Sequence, residues 1–256
     1  MNAKKEAQTI QGTKQEFLKI FREMCYARNA WQVWEDLISA IACSLANSTD
    51  PDKTNVQYKE REREYAQCIK RLGGVDKPAK CFAIMVEALE RDPPYHICDF
   101  MAKITEGNID GEIEKKGFIS IFDPACGAGA TLIAAANNAK KAKHNFQNHI
   151  LFVGQDIDRI VGMMCYIQLS LLGCAGYICI GNTLTNPMEG HALFPQEKEG
   201  QEFWYMPMFR MEVWSLRRKF HCIESMSAQT KKKEEKLEKY YLFFDFKKEE
   251  TQWEKM

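Results

Sequence analysis

The stretch Phe118-Ile-Ser-Ile-Phe-Asp-Pro-Ala-Cys-Gly-Ala-Gly-Ala-Thr-Leu132 decides the fold of this chain. It opens with a short apolar run, residues 118–122, which is typical of a parallel strand covered on both faces. Gly127 and Gly129 then predict a tight turn that lets a ligand come close to the main chain. Residues 130–138 are rich in alanine and favour a helix, whose first N–H groups are free to bind a polar ligand.

The same alternation of strand and helix continues beyond this stretch. Residues 149–154 form a second apolar run, and residues 159–172 carry apolar side chains at helical spacing. Residues 177–180 predict a third strand. Strands alternating with helices of this length indicate an α/β protein with a parallel, doubly wound sheet.

A polar side chain stands at the end of each of these strands. Asp123 ends the first, Asp156 follows the second and Asn182 follows the third. Ligands of such sheets bind beyond the carboxyl ends of the strands. The three side chains therefore predict a binding site at that edge, with carboxylate groups that can accept hydrogen bonds and an amide that can both accept and donate them.

The amino-terminal part of the chain predicts helices. We expect a frayed polar lead up to residue 13, and then apolar stripes at helical spacing indicate helices at 14–25, 31–45, 55–72, 78–91 and 95–105. The first half of the third helix, residues 59–64, is charged, and we expect it to be solvated. Trp31 and Trp34 favour a core position over a platform for stacking bases.

The amino-acid composition limits the kinds of protein to which this chain can belong. The chain has 256 residues, 45% of them hydrophobic, and a formal net charge of +0. Bulk charge therefore gives no support for tight DNA binding by this chain alone. Its ten cysteines include no C-x-x-C pair, which favours free thiols in a reducing cytoplasm and no metal site. The sequence shows no apolar leader and no membrane span, so we expect a cytoplasmic protein.

The string Asp-Pro-Ala-Cys-Gly-Ala-Gly at 123–129 resembles the cofactor loop of adenine-N6 DNA methyltransferases, in particular the modification subunits of type I restriction-modification systems. The resemblance implies a Rossmann-like S-adenosylmethionine (SAM)-dependent methyltransferase domain at 116–256. The helical region at 1–115 is similar to the one that precedes the catalytic domain in those subunits. DNA would be the substrate, and a partner or specificity subunit would be needed to choose the DNA sequence.

The resemblance also implies which residues bind SAM. The loop residues Asp123, Pro124, Ala125, Cys126, Gly127 and Gly129 would hold the methionine moiety. Asp156, with Ile157 beside it, would hold the ribose, and Asp158 is a less favoured substitute. Asn182 would meet the adenine, where the family usually has aspartate. Pro94 and Tyr95 match the family's Phe/Tyr-Thr-Pro element in part, with Pro93 replacing the threonine; a helix that simply begins at proline is the alternative.

The family's catalytic motif, Asn/Asp-Pro-Pro-Phe/Tyr at the end of a fourth strand, is not present in this sequence. That motif accepts the hydrogens of the adenine amine and stacks on the flipped base. One alignment places Met206, Pro207 and Phe209 on it, although a thioether is a poor acceptor. The other candidate, Asn186-Pro187-Met188, follows the third strand too soon for another strand.

Two functions therefore come first, and a methyltransferase that acts on another substrate is a third, less favoured class. The first is a SAM-dependent adenine-N6 DNA methyltransferase. The alternative is an inactive SAM-binding pseudo-methyltransferase that acts as a binding or regulatory module with a partner. Towards the end of the chain, residues 228–239 predict a charged helix and residues 240–246 a strand; the sequence shows no target-recognition domain.

Overall fold

The structure, a computed structural model, describes residues 2–89 and 109–223. The chain forms two compact units, Met1–Trp214 and Ser215–Met256, and of the second unit residues 215–223 are described and are helical. Four sequence predictions lie outside the described residues: the Pro94-Tyr95 element, the helix at 95–105, the charged helix at 228–239 and the strand at 240–246.

Four helices form the described amino-terminal region: α1 Asn2–Met24, α2 Ala30–Ser48, α3 Val56–Leu72 and α4 Asp76–Leu89. Asparagine side chains cap two of them: Asn29 accepts from the backbone N of Trp31 at 2.8 Å, and Asn55 accepts from that of Tyr58. Gly73, at φ +83°, ends α3. The frayed lead predicted for residues 1–13 is wrong, because α1 begins at Asn2.

The two tryptophans differ in their surroundings. Trp34 packs edge-on against Phe17 and Phe21, with ring centroids at 6.4 and 5.9 Å, and so joins α2 to α1. Trp31 is 56% exposed. The predicted core position is therefore confirmed for Trp34 and wrong for Trp31.

Two charged residues in the first half of α3, Arg61 and Glu64, make ion pairs instead of facing solvent. Arg61 is buried and donates to Asp50 and to Asn47. Glu64 receives two hydrogen bonds from Arg159, at 2.8 and 2.9 Å. The prediction that residues 59–64 are solvated is wrong at these two positions, because each charge has a specific partner on another element.

After the short helix α5 (Ile109–Lys116), the chain enters a sheet with alternating helices. Its parallel strands are β1 Ile119–Asp123, β2 Ile150–Asp156 and β3 Ala175–Ile180. Helix α6 (Ala130–Lys141) and the short α7 (Phe146–His149) connect β1 to β2, and α8 (Arg159–Leu171) connects β2 to β3. The predicted α/β fold, a Rossmann-like sheet with a helical amino-terminal region, is confirmed.

Strand β1 is not covered on both faces, as the apolar run had predicted. Within the described part of the chain it lies at the edge of the sheet and pairs with β2 alone. Ser120 and Phe122 are exposed on one face, Phe122 to 51%, while Ile119 and Ile121 are half-buried on the other. Strands β2 and β3, which have a neighbour on each side, show the burial that the pattern predicted.

The fourth strand of the sheet runs in the opposite direction. A small hairpin, β4 (Glu189–His191) with β5 (Phe194–Gln196), turns the chain after β3, and β6 (Glu202–Tyr205) then pairs antiparallel with β3. A 3-10 helix, Pro207–Arg210, follows. The alignment of Met206 with the catalytic motif requires the carboxyl end of this strand at the same edge as those of β1, β2 and β3, and the antiparallel direction places it at the opposite edge.

One hydrophobic core joins the helical region to the sheet. Buried side chains of α2, α3 and α4 share a cluster with those of α6, α8 and one face of the strands. The other face of the sheet packs on a second cluster that includes Tyr177, Phe203 and Trp214. Residues up to Trp214 thus form one compact unit. The domain boundary at 115/116 stays a prediction.

Residues 2–89 and 109–223 contain neither a helix that could span a membrane nor a cluster of metal-binding side chains. No helix there has the length and apolar character needed to cross a membrane. No group of three or more His, Cys, Asp or Glu in these ranges could hold a metal ion. Nine cysteines of this part of the chain are free thiols.

Candidate cofactor site at the carboxyl edge of the sheet

The carboxyl ends of β1, β2 and β3 meet at one edge of the sheet, and three hydrogen bonds tie the segments that follow them together. Gly127 N, in the loop after β1, donates to Asp156 Oδ2 at 2.8 Å. Gly181 N, after β3, donates to the carbonyl oxygen of Asp156 at 2.8 Å. Thr183 Oγ1 donates to the carbonyl oxygen of Pro124 at 2.6 Å. The predicted residues Asp123–Gly129, Asp156 and Asn182 therefore lie on elements that the structure brings together.

The glycine loop has the backbone that its sequence predicted. The backbone φ angles of Gly127 and Gly129 are +54° and +93°, in a region that residues other than glycine rarely adopt. Asp123 Oδ1 accepts from the backbone N of Ala125 at 3.0 Å and shapes the start of the turn. No heavy atom of the described residues lies within 4 Å of a Cβ added at Gly127, whereas one added at Gly129 would lie 2.7 Å from Cys165 Sγ. Gly127 thus faces open space, and Gly129 allows close packing of the loop on α8.

Asp156 is held in place with acceptor capacity to spare. Its Oδ2 accepts from Gly127 N, and its Oδ1 accepts from Asp158 N at 2.9 Å. A carboxylate has about four lone-pair sites, so roughly half of them remain for a ligand. A carboxylate fixed in this way suits the two hydroxyls of a ribose.

Asp158, the substitute that the sequence left open, has a different role. Its Oδ1 accepts from Ile160 N at 2.9 Å and from Val161 N at 3.0 Å, so it caps the amino end of α8. Asp156 is the better candidate for the ribose, because it belongs to β2 and bonds to the loops after β1 and β3 through Gly127 N and Gly181 N.

Asn182 uses its side-chain oxygen locally. Oδ1 accepts from Leu184 N at 2.9 Å and from Thr185 N at 3.2 Å, and these bonds form the turn that follows β3. Within the described residues its side-chain NH₂ group has no acceptor. Asn182 can therefore offer donors to the ring nitrogens of an adenine, which an aspartate at this position could not do.

Three large apolar side chains are exposed along the same edge. Phe122 is the second-last residue of β1. Ile157 follows β2 and is 69% exposed, and Leu184 follows β3 and is 93% exposed. Single exposed apolar residues are ordinary, but each of these three adjoins a predicted polar ligand group. An apolar ligand surface such as an adenine ring would remove them from water.

The Cys165 thiol, which lies beside the loop, is not activated. The Cys165 thiol has its pKa raised well above the ordinary value, first by its hydrogen bond with the Cys126 side chain and then by burial. A raised thiol pKa keeps the group neutral and a poor nucleophile. The chemistry of covalent cysteine catalysis is therefore not suited to Cys165.

Met206, Pro207 and Phe209 lie at the other edge of the sheet. Because β6 is antiparallel to β3, its carboxyl end lies beside the amino end of β3, and Met206 N donates to the carbonyl oxygen of Gly176 at 2.9 Å. Met206 is fully buried and Phe209 nearly so. The structure does not bring these three residues to the cofactor edge, so the alignment that placed the catalytic motif on them is not supported.

Asn186, the other candidate, does lie at the cofactor edge. Its side-chain Nδ2 donates to the carbonyl oxygen of Glu199 at 3.0 Å, and its Oδ1 has no donor within the described residues. The carbonyl oxygen of the next residue, Pro187, accepts from Lys198 Nζ at 2.8 Å. Asn186 therefore offers one free side-chain acceptor, next to a carbonyl that is already engaged.

Two residues at this edge were not found from the sequence, Gln155 and Thr183. Gln155 is a fully buried polar residue in a strand that is otherwise apolar. That break in the apolar pattern was the available signal, because a buried amide needs partners. Thr183 gave no signal, because its contact with Pro124 joins residues 59 positions apart.

Comparisons with known proteins give one family match and one distant structural likeness. The model of the family described as N-6 DNA Methylase matches residues 93–253, which is more than half of the chain. None of the curated proteins matches the chain. The crystal structure of a candidate class I SAM-dependent methyltransferase from Listeria monocytogenes shares 14% identity, covers 82% of this chain and 78% of its own, and has a TM-score of 0.34. That likeness is too distant to support an argument about the site.

Proposed function

The chain belongs to the N-6 DNA methylase family, and on this premise we propose that it is an adenine-N6 DNA methyltransferase that binds SAM at the carboxyl edge of its sheet. The family implies SAM as the cofactor and DNA as the substrate. What we add is the location of the cofactor, the roles of the residues there and the adenine amine as the methyl acceptor.

One observation carries the proposed location. The loop after β1 and the turn after β3 are both bonded to Asp156, through Gly127 N on one side and Gly181 N on the other. This arrangement sets a glycine turn, a fixed carboxylate and an asparagine side by side. A nucleoside with a polar tail presents the matching groups: a charged end for backbone N–H donors, a diol for the carboxylate and a ring edge for the amide.

The residues present suit SAM. The open space at Gly127 lets a ligand approach the backbone, and Asp156 keeps lone pairs for a ribose diol. Ile157 and Leu184 would pack on the adenine faces, and the Asn182 NH₂ group would donate to its edge. When bound, SAM supplies an electrophilic methyl group on a sulfonium. The protein's own contribution is to hold the ligand and to shield it from water.

For the methyl acceptor, we assign Asn186 as the side chain that receives the amine hydrogens. The exocyclic amine of adenine is a weak nucleophile, because its lone pair is delocalised into the ring. A side-chain oxygen that accepts its hydrogens favours attack. Asn186 Oδ1 lies on the cofactor edge and is free of donors in the described structure, whereas Met206 is buried at the opposite edge.

A second function, a SAM-binding module without activity, is favoured by the carbonyl of Pro187. In the chemistry above a backbone carbonyl assists the side chain, but the Pro187 carbonyl already accepts from Lys198 Nζ at 2.8 Å. A module of this kind would bind SAM and act through a partner subunit. The two functions differ in one product, S-adenosylhomocysteine, which forms from SAM and DNA only if methyl transfer takes place.

The experiment that separates them uses the full chain, with unmethylated genomic DNA as substrate and with N186A and N186D as variants. The methyltransferase proposal predicts N6-methyladenine in hydrolysed DNA and an equal amount of S-adenosylhomocysteine. N186A should abolish both products, while N186D, which keeps an acceptor oxygen, should retain activity; SAM affinity should change little in either. SAM binding without either product from wild-type protein would support the module.

A further inference from the structure

Gln155 connects the two loops of the proposed cofactor site. Its carbonyl oxygen accepts from Cys126 N of the glycine loop at 3.1 Å. Its side chain reaches the turn after β3: Nε2 donates to the carbonyl oxygens of Gly181 and Asn186 at 3.3 and 3.0 Å, and Oε1 accepts from Met188 N at 3.1 Å. The residue is fully buried at the end of β2.

These partners match an amide, which offers donors and an acceptor at the same time. Two carbonyl oxygens need a donor on one side of Gln155, and a backbone N–H needs an acceptor on the other. A carboxylate would satisfy Met188 N but would face both carbonyls with lone pairs. A methionine of similar size would take this partner from the Gly181 carbonyl and from Met188 N, while the Asn186 carbonyl would keep its hydrogen bond from Gln201 Nε2 at 2.9 Å. Buried groups left without partners are costly.

We propose that Gln155 is a positioning residue for cofactor binding, which sets the turn at 181–188 against the glycine loop so that Asn182 and Asp156 engage one ligand together. This inference rests on the proposed function of the same site. Gln155 would touch no part of the cofactor; it would act through the backbone of the two loops.

The Q155E variant gives a signature that a purely structural role would not produce. A protonated carboxyl can donate to the Asn186 carbonyl while its other oxygen accepts from Met188 N, so it replaces the amide. An ionised carboxyl repels the carbonyls of Gly181 and Asn186. Because burial raises the pKa of a carboxyl, the variant should bind SAM more tightly as the pH falls, and wild-type protein titrated at the same pH values is the control.

Other titrating groups around this side chain are common to both proteins. Asp156 follows Gln155 on β2, and Cys126 lies on the glycine loop. Cys179 is the register partner of Gln155 on β3, and burial raises the pKa of the Cys179 thiol to about 12. Charged residues 197–199 belong to the segment that contacts Asn186. The ratio of variant to wild-type affinity therefore isolates the substituted side chain.

The experiment is a calorimetric titration of SAM into wild-type protein, Q155E and Q155M between pH 5.5 and 8.5. We expect Q155M to bind about tenfold or more weakly at every pH. The SAM affinity of Q155E should approach that of wild type at pH 5.5. At pH 8.5 it should fall to that of Q155M. An affinity ratio for Q155E that does not change with pH, or a Q155M affinity equal to wild type, would overturn the proposal.

A ligand-free measurement separates this proposal from the proposed function. Hydrogen exchange of the Met188 amide should be about tenfold or more faster in Q155M than in wild type, because its acceptor is gone. Q155E should keep this protection, and amides in the middle of β2 should be unchanged in both. If wild-type protein fails to bind SAM, the proposed function falls, while an unaltered Met188 exchange rate in Q155M would refute the positioning role itself.

Discussion

Replacing Asp156 by asparagine removes one charge at the centre of the proposed site and leaves the size of the side chain unchanged. In the structure both carboxylate oxygens accept a backbone N–H, from Gly127 at 2.8 Å and from Asp158 at 2.9 Å. An asparagine has one oxygen and one NH₂ group, so one of these two donors would face another donor. A ribose at the site would also lose its charged acceptor.

The magnitude follows from the bonds that change. A hydrogen bond to a charged group contributes about 1.5–3 kcal/mol, and a ribose diol would make two. Because the amide keeps one acceptor, we expect a loss of about 3 kcal/mol in SAM binding, which is about 100-fold in Kd at 1.4 kcal/mol per tenfold change. The free energy of unfolding should fall by only about 1 kcal/mol, since the two backbone donors lie near solvent.

The assay is calorimetric titration with SAM and with S-adenosylhomocysteine, and D158N is the matched control. Asp158 lies two residues away and caps α8 through Ile160 N and Val161 N. Asparagine caps a helix about as well as aspartate, so D158N removes the same charge and leaves the cap intact. D158N should bind SAM within about twofold of wild type. Equal affinities for D156N and wild type, or an equal loss in D158N, would refute the ribose assignment.

Further predictions concern the loop and an ion-pair network. G129A should lower the free energy of unfolding in denaturant titrations by about 3 kcal/mol, because φ is +93° and the new Cβ would lie 2.7 Å from Cys165 Sγ. G127A, where the methyl group meets no heavy atom of the described residues, should cost only about 1 kcal/mol; equal losses would contradict the packing argument. D50N should destabilise the protein by about 3 kcal/mol at pH 7, because Arg61 and Arg210 both pair with this buried carboxylate. Burial opposes ionisation of Asp50, but hydrogen bonds from Arg210 and from Asp52 N, together with the charges of Arg210 and Arg61, leave its pKa below the ordinary value. The stabilisation is therefore complete above the unfolded pKa of about 3.9. The difference between wild type and D50N should shrink as the pH falls through the lower, folded-state pKa, and a difference that stays constant down to pH 2 would argue against the ion pair.

The polar residues that meet at the carboxyl edge of the sheet could be predicted from the sequence, because their signals are local. A glycine turn, a carboxylate after a strand and an asparagine after the next strand are all read within a few residues, and parallel strands place their ends at one edge. The end of α3 was local in the same way, because Gly73 follows the predicted helix at 55–72 directly.

The direction of β6 could not be read from its residues. Glu202–Tyr205 has an apolar pattern that suits a parallel or an antiparallel strand, and the choice is made by the hairpin of β4 and β5 that turns the chain after β3. A reversed strand has its carboxyl end at the other edge of the sheet. Met206 therefore lies at the edge opposite the candidate cofactor site. The exposure of Phe122 was missed for a related reason: strand order decides which strand lies at the edge.

Contacts between distant residues were also out of reach. Glu64 and Arg159 are 95 positions apart, and the partners of Gln155 follow it by 26 to 33 positions. Charge and polarity in the sequence show that such side chains need partners, but the identity of the partners depends on the packed fold.

The measurement that tests the account most directly is backbone hydrogen exchange of wild-type protein with and without saturating SAM. The account predicts slower exchange on binding in three segments, residues 124–129, 156–158 and 181–186, and no change at residues 205–209. Protection confined to residues 205–209, or binding of SAM that leaves all three carboxyl-edge segments unaltered, would contradict the location proposed for the cofactor.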